Sequence, residues 1–265
     1  MPSFNTLKCE AKRINGNAVV SAYRLSLLLW GITLLLSLVN RYMNRAALAE
    51  QLRTMTSLTE LPAGYSAALD SFFAAAQTGP TFPPAVVTFV GVFVFLFTFV
   101  LNAGYTIYLM GVRRGEQMGY GTLFDGFAYA GKIIVLELLR FLLVLAWPML
   151  AAATGAAFGL LLTLPGIFLS YCFFFALYDL LDDPGLSVMD ALKLSFRQTR
   201  GHRAELFLLD LSFLIWDLLS LLTAGLSSVY SRPYIEQTRL GYYYAVKTAQ
   251  PPLPDDTSGE NDDTP

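Results

Sequence analysis

Between Ala85 and Val112 the chain carries no charged side chain, is dense in Phe and Val, and ends at Arg113-Arg114. A helix rises 1.5 Å per residue, so about 20 residues cross a hydrocarbon core of roughly 30 Å. The run is long enough to do so, and further apolar runs occupy about 19–39, 132–152, 156–180, 205–222 and 226–247. Composition agrees: of 265 residues, 55% are hydrophobic and only 14% charged, against about 25% charged in an ordinary soluble domain. The sequence predicts an all-α integral membrane helical bundle over residues 1–248. It has six transmembrane helices, or five if 226–247 is interfacial.

The charges are segregated, and their placement is more informative than the net charge of -2. With six spans and the amino terminus inside, one side holds Lys8, Lys12, Arg13, Arg24, Arg113, Arg114, Lys132, Lys193, Arg197, Arg200, Arg203 and Lys247. The other holds only Arg41, Arg45, Arg53 and Arg232. Basic residues are retained on the cytoplasmic side, which predicts a multi-pass protein of the cell membrane with a cytoplasmic amino terminus. The same basic runs suit anionic lipid head groups. Arg41 and Arg45 follow the first apolar run, where a cleaved signal peptide is normally free of them, so that segment is expected to be a retained anchor.

Two amphipathic stretches are expected at the membrane surface. One covers residues 4 to 18, with Phe4, Leu7, Ala11, Ile14 and Ala18 at helical spacing. The other opens on the capping pair Ser187 and Asp190 and places Val188, Leu192, Phe196 and Thr199 opposite Lys193, Arg197 and Arg200. A shift of 185 residues brings Leu7-Lys8 onto Leu192-Lys193 and Gly16 onto Gly201, a sparse echo that puts both starts on one side. Residues 40–84 read as an extracytoplasmic loop, helical near Ala46 to Met55, and Gly115 to Gly131 as a cytoplasmic loop without phosphate-cradle spacing. Pro148 is expected to kink the third span, and Gly155 with Gly159 marks a close helix contact. Residues 249–265, with four prolines and five acids from Gln250 onward, read as a disordered acidic tail.

An ionisable side chain inside a bilayer costs at least about 2.5 kcal/mol and needs a partner. Glu137, Arg140, Asp210, Asp217, Glu236 and Arg239 are such residues, and they form a candidate intramembrane polar layer. Arg140 lies eight residues beyond Lys132, Asp210 seven beyond Arg203 and Arg239 eight before Lys247, each roughly 10 to 12 Å deep. Asp210 is expected to bridge Arg140 and Arg239, with Glu137 at the edge and Asp217 and Glu236 nearer mid-membrane. Asp210 and Asp217, seven apart, would share one helix face, a spacing that suits a proton or cation path. Such charges serve either as packing ion pairs that fix helix register or as the lining of a polar pathway.

Enzymatic and metal chemistry find no support. The chain lacks H-E-x-x-H and G-x-S-x-G, and its single histidine, His202, sits at a span border. Cys9 and Cys172 give neither a disulfide framework nor metal-ligand spacing and are read as free thiols. No catalytic, cofactor-binding or metal-binding residue is assigned, and no nucleic-acid partner is indicated.

From Leu169 onward the chain resembles an uncharacterised bacterial integral-membrane family, domain of unknown function 975. The resemblance rests on the Asp183-Pro184 turn, Ala191 and Ser195, Gly201-His202-Arg203, Leu206-Phe207, and L-D-L-S-F at 209 to 213. It continues through Trp216, Leu222-Thr223, Gly225, Pro233-Tyr234 and Tyr242 to Tyr244. Ile215 stands where the family often has Gly, and Asp217 is atypical. The resemblance implies a multi-pass fold and brings no assigned activity. The resulting expectation is a non-enzymatic membrane protein that binds or passes a small solute, ion or lipid through its polar layer. The alternative is a structural or accessory subunit of a membrane complex.

Overall fold

The structure, a computed structural model, describes residues 3–18, 20–45, 82–154, 156–223 and 225–249, with isolated residues 49, 71 and 74. All regular structure among the described residues is helical. Most of the expected 40–84 loop, the Gly155 of the glycine pair and the acidic tail lie outside the described residues. Three stretches are long and apolar enough to cross a membrane: Ala22–Met43, Pro84–Arg113 and Thr163–Asp182.

Helix α1 (Phe4–Asn17) starts where the Ser3 hydroxyl accepts the Thr6 N–H, one of the orphan donors of a helix start. Leu7, Ala11 and Asn15, four residues apart, form its buried stripe. Rather than lying free on a surface, α1 is tied into the bundle: Glu10 pairs with Arg113 at 2.9 Å, and Lys8 donates to Ser212 at 2.8 Å. Helix α2 (Ala22–Met43) follows, then α3 (Pro84–Arg113), whose proline at its first position fits a helix start.

The glycine-rich segment expected as a loop is instead a 3-10 helix, Tyr120–Tyr129, packed flat on α3. Contact is backbone to backbone: a Cβ on Gly104 would lie 2.0 Å from the Leu123 carbonyl oxygen, and one on Gly126 2.5 Å from that of Val100. Only glycine permits this approach. Gly104 is nine residues before Arg113, about 13 Å along a helix, so the segment reaches well down the side of α3.

Helix α4 (Ala130–Thr154) includes position 148. Helix α5 (Ala156–Cys172) carries Pro165, and a turn at 173–175 separates it from α6 (Ala176–Asp182). That turn is held by α7 (Val188–Gln198), which opens on the Ser187 cap. Ser195 Oγ accepts the Phe175 N–H at 3.1 Å and donates to the Cys172 carbonyl at 3.2 Å, and Thr199 Oγ1 donates to the same carbonyl at 3.2 Å. Backbone groups freed by a helix break must find partners when buried, and here a neighbouring helix supplies hydroxyls.

The segments expected as spans five and six are built differently. Residues 205–222 divide into α8 (Arg203–Leu211) and α9 (Leu214–Leu222), interrupted at Ser212 and Phe213. Helix α10 (Leu226–Ala249) then returns antiparallel to α9, so that Trp216 packs on Tyr230 and Phe213 on Tyr234. The turn between them, where Gly225 takes φ +86, sits against Trp30 in the first half of α2. Helix α2 continues to Met43, beside the early turns of α3 at Gly91. The α9–α10 hairpin therefore reaches only part of the way along α2 and α3.

Side by side, α3 and α10 run parallel: Arg232 bonds Asn102 at 2.6 Å, Gln237 Nε2 donates to the Leu109 carbonyl at 2.8 Å, and Gly241 abuts Arg113. The buried core gathers in this half, around Tyr105, Tyr108, Leu109, Phe175, Tyr242 and Tyr243. Tyr108 donates to the Val20 carbonyl there. The other half of α3 is bare, with Phe89 72% exposed, as is α9, with Ile215 75% and Leu221 78% exposed.

Candidate functional site

A cavity of about 530 Å³ opens between α3, α4, the α5–α6 break, α8 and α10, within the range of small-ligand sites. Six ionisable side chains of opposite sign line it: Glu137, Asp210 and Glu236 against Arg140, Arg232 and Arg239. Helix α10 contributes Arg232, Glu236 and Arg239, spaced four and three apart and hence on one face. Glu137 and Arg140, three apart, come from α4, and Asp210 from the last turn of α8. Tyr171 and Tyr178, from either side of the Ser195-held turn, and Asn102 of α3 also face the cavity.

Arg239 is the hub. Its Nε and Nη2 donate to Asp210 Oδ1 at 3.1 and 3.0 Å, and Nη1 donates to Glu236 Oε1 at 3.0 Å. The second oxygen of each carboxylate is taken by a phenol: Tyr171 donates to Asp210 Oδ2 at 3.2 Å and Tyr178 to Glu236 Oε2 at 3.0 Å. The guanidinium also stands 5.6 Å from the Phe174 ring centre, a cation–π distance. Arg140 Nη2 pairs with Glu137 Oε2 at 3.1 Å. Arg232 Nη2 donates to Asn102 Oδ1 at 2.6 Å, and its guanidinium lies 5.3 Å from the Tyr105 ring centre.

Five of the six residues expected in a polar layer meet here. The Asp210–Arg239 pair forms, but Asp210 does not bridge to Arg140. Arg140 takes Glu137, one turn away on its own helix, because Arg239 and Tyr171 already occupy both oxygens of Asp210. Asp217 lies exposed in the first turn of α9 and does not line the cavity. The break at Ser212–Phe213 destroys the helical phase that would have set it two turns below Asp210, and no two-acid path runs along one helix face.

Arg232, counted on the outer side from sequence, was missed, as were Asn102, Tyr171 and Tyr178. A signal existed for two of them: Arg232 is one turn before Glu236, and Asn102 is the lone carboxamide in α3. The tyrosines carried none, since an apolar run rich in aromatics reads as lipid packing.

A second polar cluster ties the far end of α10 to α6 and α7. Asp179, 1% exposed, accepts from Tyr243 at 3.0 Å and from Gln198 Nε2 at 3.1 Å. Lys247 and Tyr244 both reach Asp182, at 2.5 and 3.1 Å. These bonds are clamps between helices. His202 sits at the start of α8 with Nδ1 3.6 Å from Glu205 and its ring against Tyr242. Cys9 is exposed and Cys172 buried, both free.

No curated protein and no solved structure matches the chain. Residues 154–250, which supply the α5–α10 side of the cavity, match the model of a family described as a protein of unknown function (DUF975), an uncharacterised family.

Proposed function

We propose that this is a cell-membrane protein with a cytoplasmic amino terminus that binds or passes a small solute, ion or lipid through the charged cavity. Helices α2, α3, α4 and the α5–α6 pair cross the bilayer, while α8 to α10 enter from the cytoplasmic side and turn back at Gly225. The basic residues at the α3 end, Arg113, Arg114, Lys132 and Lys247, then share the cytoplasmic side, and the exposed apolar faces of α2, α3, α4 and α9 face lipid.

The observation that carries the functional reading is the cavity itself. Packing ion pairs that serve only register fill their own space, whereas these six charges surround about 530 Å³. Ionisable groups at membrane depth that line a cavity mark a ligand or ion site.

The test is solvent labelling of cysteines placed at Thr106 and Ser170, both on the cavity wall, after Cys9 and Cys172 are replaced by Ala. A small hydrophilic thiol reagent should modify both, and far faster than a cysteine at lipid-facing Phe89. Labelling no faster than at Phe89 would refute the reading. It would leave the charges as packing elements and favour a structural or accessory subunit of a membrane complex.

A further inference from the structure

The three arginines of the cavity are not equivalent. Arg239 is held by two carboxylates, so that cluster carries one formal negative charge. Arg140 is matched by Glu137. Arg232 has only neutral contacts, the Asn102 amide oxygen and the Tyr105 ring, and among the described residues no carboxylate lies within ion-pair distance of it. A guanidinium has five N–H donors and does not give up its proton in proteins. One donor here is satisfied by Asn102, and no carboxylate touches the charge.

What completes such a group is an anion whose two oxygens accept side by side, a carboxylate or a phosphate. The rest of the lining suits an apolar body: Phe99, Phe141 and Val144 share the cavity with Arg232. Asp210 and Glu236 offer a cationic ligand poorer terms, because Arg239 and the two phenols already take both oxygens of each, and the third carboxylate, Glu137, is paired with Arg140 through one oxygen. We infer that the cavity binds an amphiphilic anion, a carboxylate or phosphate on an apolar body, with Arg232 as its anchoring residue. This rests on the cavity being a ligand site. The anion comes either from an acidic membrane lipid or from a free organic acid.

The experiment uses the full chain in phosphatidylcholine nanodiscs, with a single reporter cysteine at Ser170 and Cys9 and Cys172 replaced by Ala. Labelling of the reporter is timed with octyl phosphate, octylammonium or octanol present. Octyl phosphate should protect at concentrations about tenfold or more below the other two, the scale of one charge-assisted hydrogen bond. Arg232→Gln should remove that preference and Arg232→Lys should retain part of it. Asn102→Asp, which sets a carboxylate against Arg232 in place, should also abolish it and keeps the test open if Arg232→Gln does not fold. Protection by added phosphatidylglycerol without octyl phosphate identifies a lipid head group as the source. Protection that requires octyl phosphate or octanoate identifies a free organic anion.

Equal protection by octylammonium or octanol, or protection unchanged in both Arg232→Gln and Asn102→Asp, overturns the anion assignment and leaves the cavity reading standing. A reporter at Ser170 that the reagent never reaches overturns both.

Discussion

Removing the Arg239 guanidinium tests the charged cluster most directly. Arg239→Gln deletes three hydrogen bonds, at 3.1, 3.0 and 3.0 Å, and leaves Asp210 and Glu236 facing each other without a cation. The three side chains are 26%, 22% and 21% exposed, so solvent screens them only in part. At an effective dielectric constant of 20, two charges about 3 Å apart attract by about 5 kcal/mol, and most of that repays desolvation. The measurable loss is what remains when one partner of a buried pair is removed, about 3 to 5 kcal/mol. Asp210→Asn is milder, because Glu236 still neutralises Arg239, and about 1 to 2 kcal/mol is expected.

The double variant should lose clearly less than the sum of the two, with a coupling energy of about 1.5 to 3 kcal/mol. The assay is reversible unfolding in mixed detergent micelles, read by tyrosine and tryptophan fluorescence on all four proteins of the cycle. Arg200→Gln, at an exposed side chain just past α7 and outside the cavity, serves as the control and should stay within about 0.5 kcal/mol of the parent. Additivity of Asp210→Asn and Arg239→Gln to within about 0.5 kcal/mol would refute the ion cluster, and with it the placement of α8 against α10.

Three further outcomes follow from the packing. Gly104→Ala sets a methyl 2.0 Å from the Leu123 carbonyl oxygen and should displace the 3-10 helix, lowering the unfolding midpoint strongly, whereas Gly121→Ala, with nothing within 4 Å, should be silent. Ser195→Ala leaves the buried Phe175 N–H without its acceptor and should cost about 1 to 3 kcal/mol, measured by the same unfolding assay; loss equal to that of an exposed serine variant such as Ser37→Ala would contradict the role given to Ser195. Cysteines at Ser227 and Ser228, beside the Gly225 turn, should resist impermeant reagents from both sides of sealed vesicles, and rapid labelling from the extracytoplasmic side would restore two full crossings by α9 and α10.

Several features were legible in the residues alone, because they depend on local composition and period. The apolar runs, the all-helical class and the cap at Ser187 are of this kind. So is the pairing of Glu137 with Arg140, which the i,i+3 spacing brings together on any straight helix. The Asp210–Arg239 pair was also reachable, since counting helical rise from a basic border places both at one depth. Asp217 was misplaced for a physical reason: depth and phase counts assume an unbroken helix, and two backbone residues, Ser212 and Phe213, reset them.

Local composition sets how much apolar surface each segment must hide from water, and which buried charges need partners. Which partners they took, and how far each helix reaches, came from contacts between elements. The glycine contact at Gly104 drew a presumed loop down the side of α3, and the hydroxyls of Ser195 and Thr199 held open the break that points Tyr171 and Tyr178 at the cavity. The turn at Gly225, lodged against Trp30, folded α9 and α10 into a hairpin and carried Arg232 into the charged site. Each of these is a contact between residues far apart in the chain, and no periodicity within a segment encodes it.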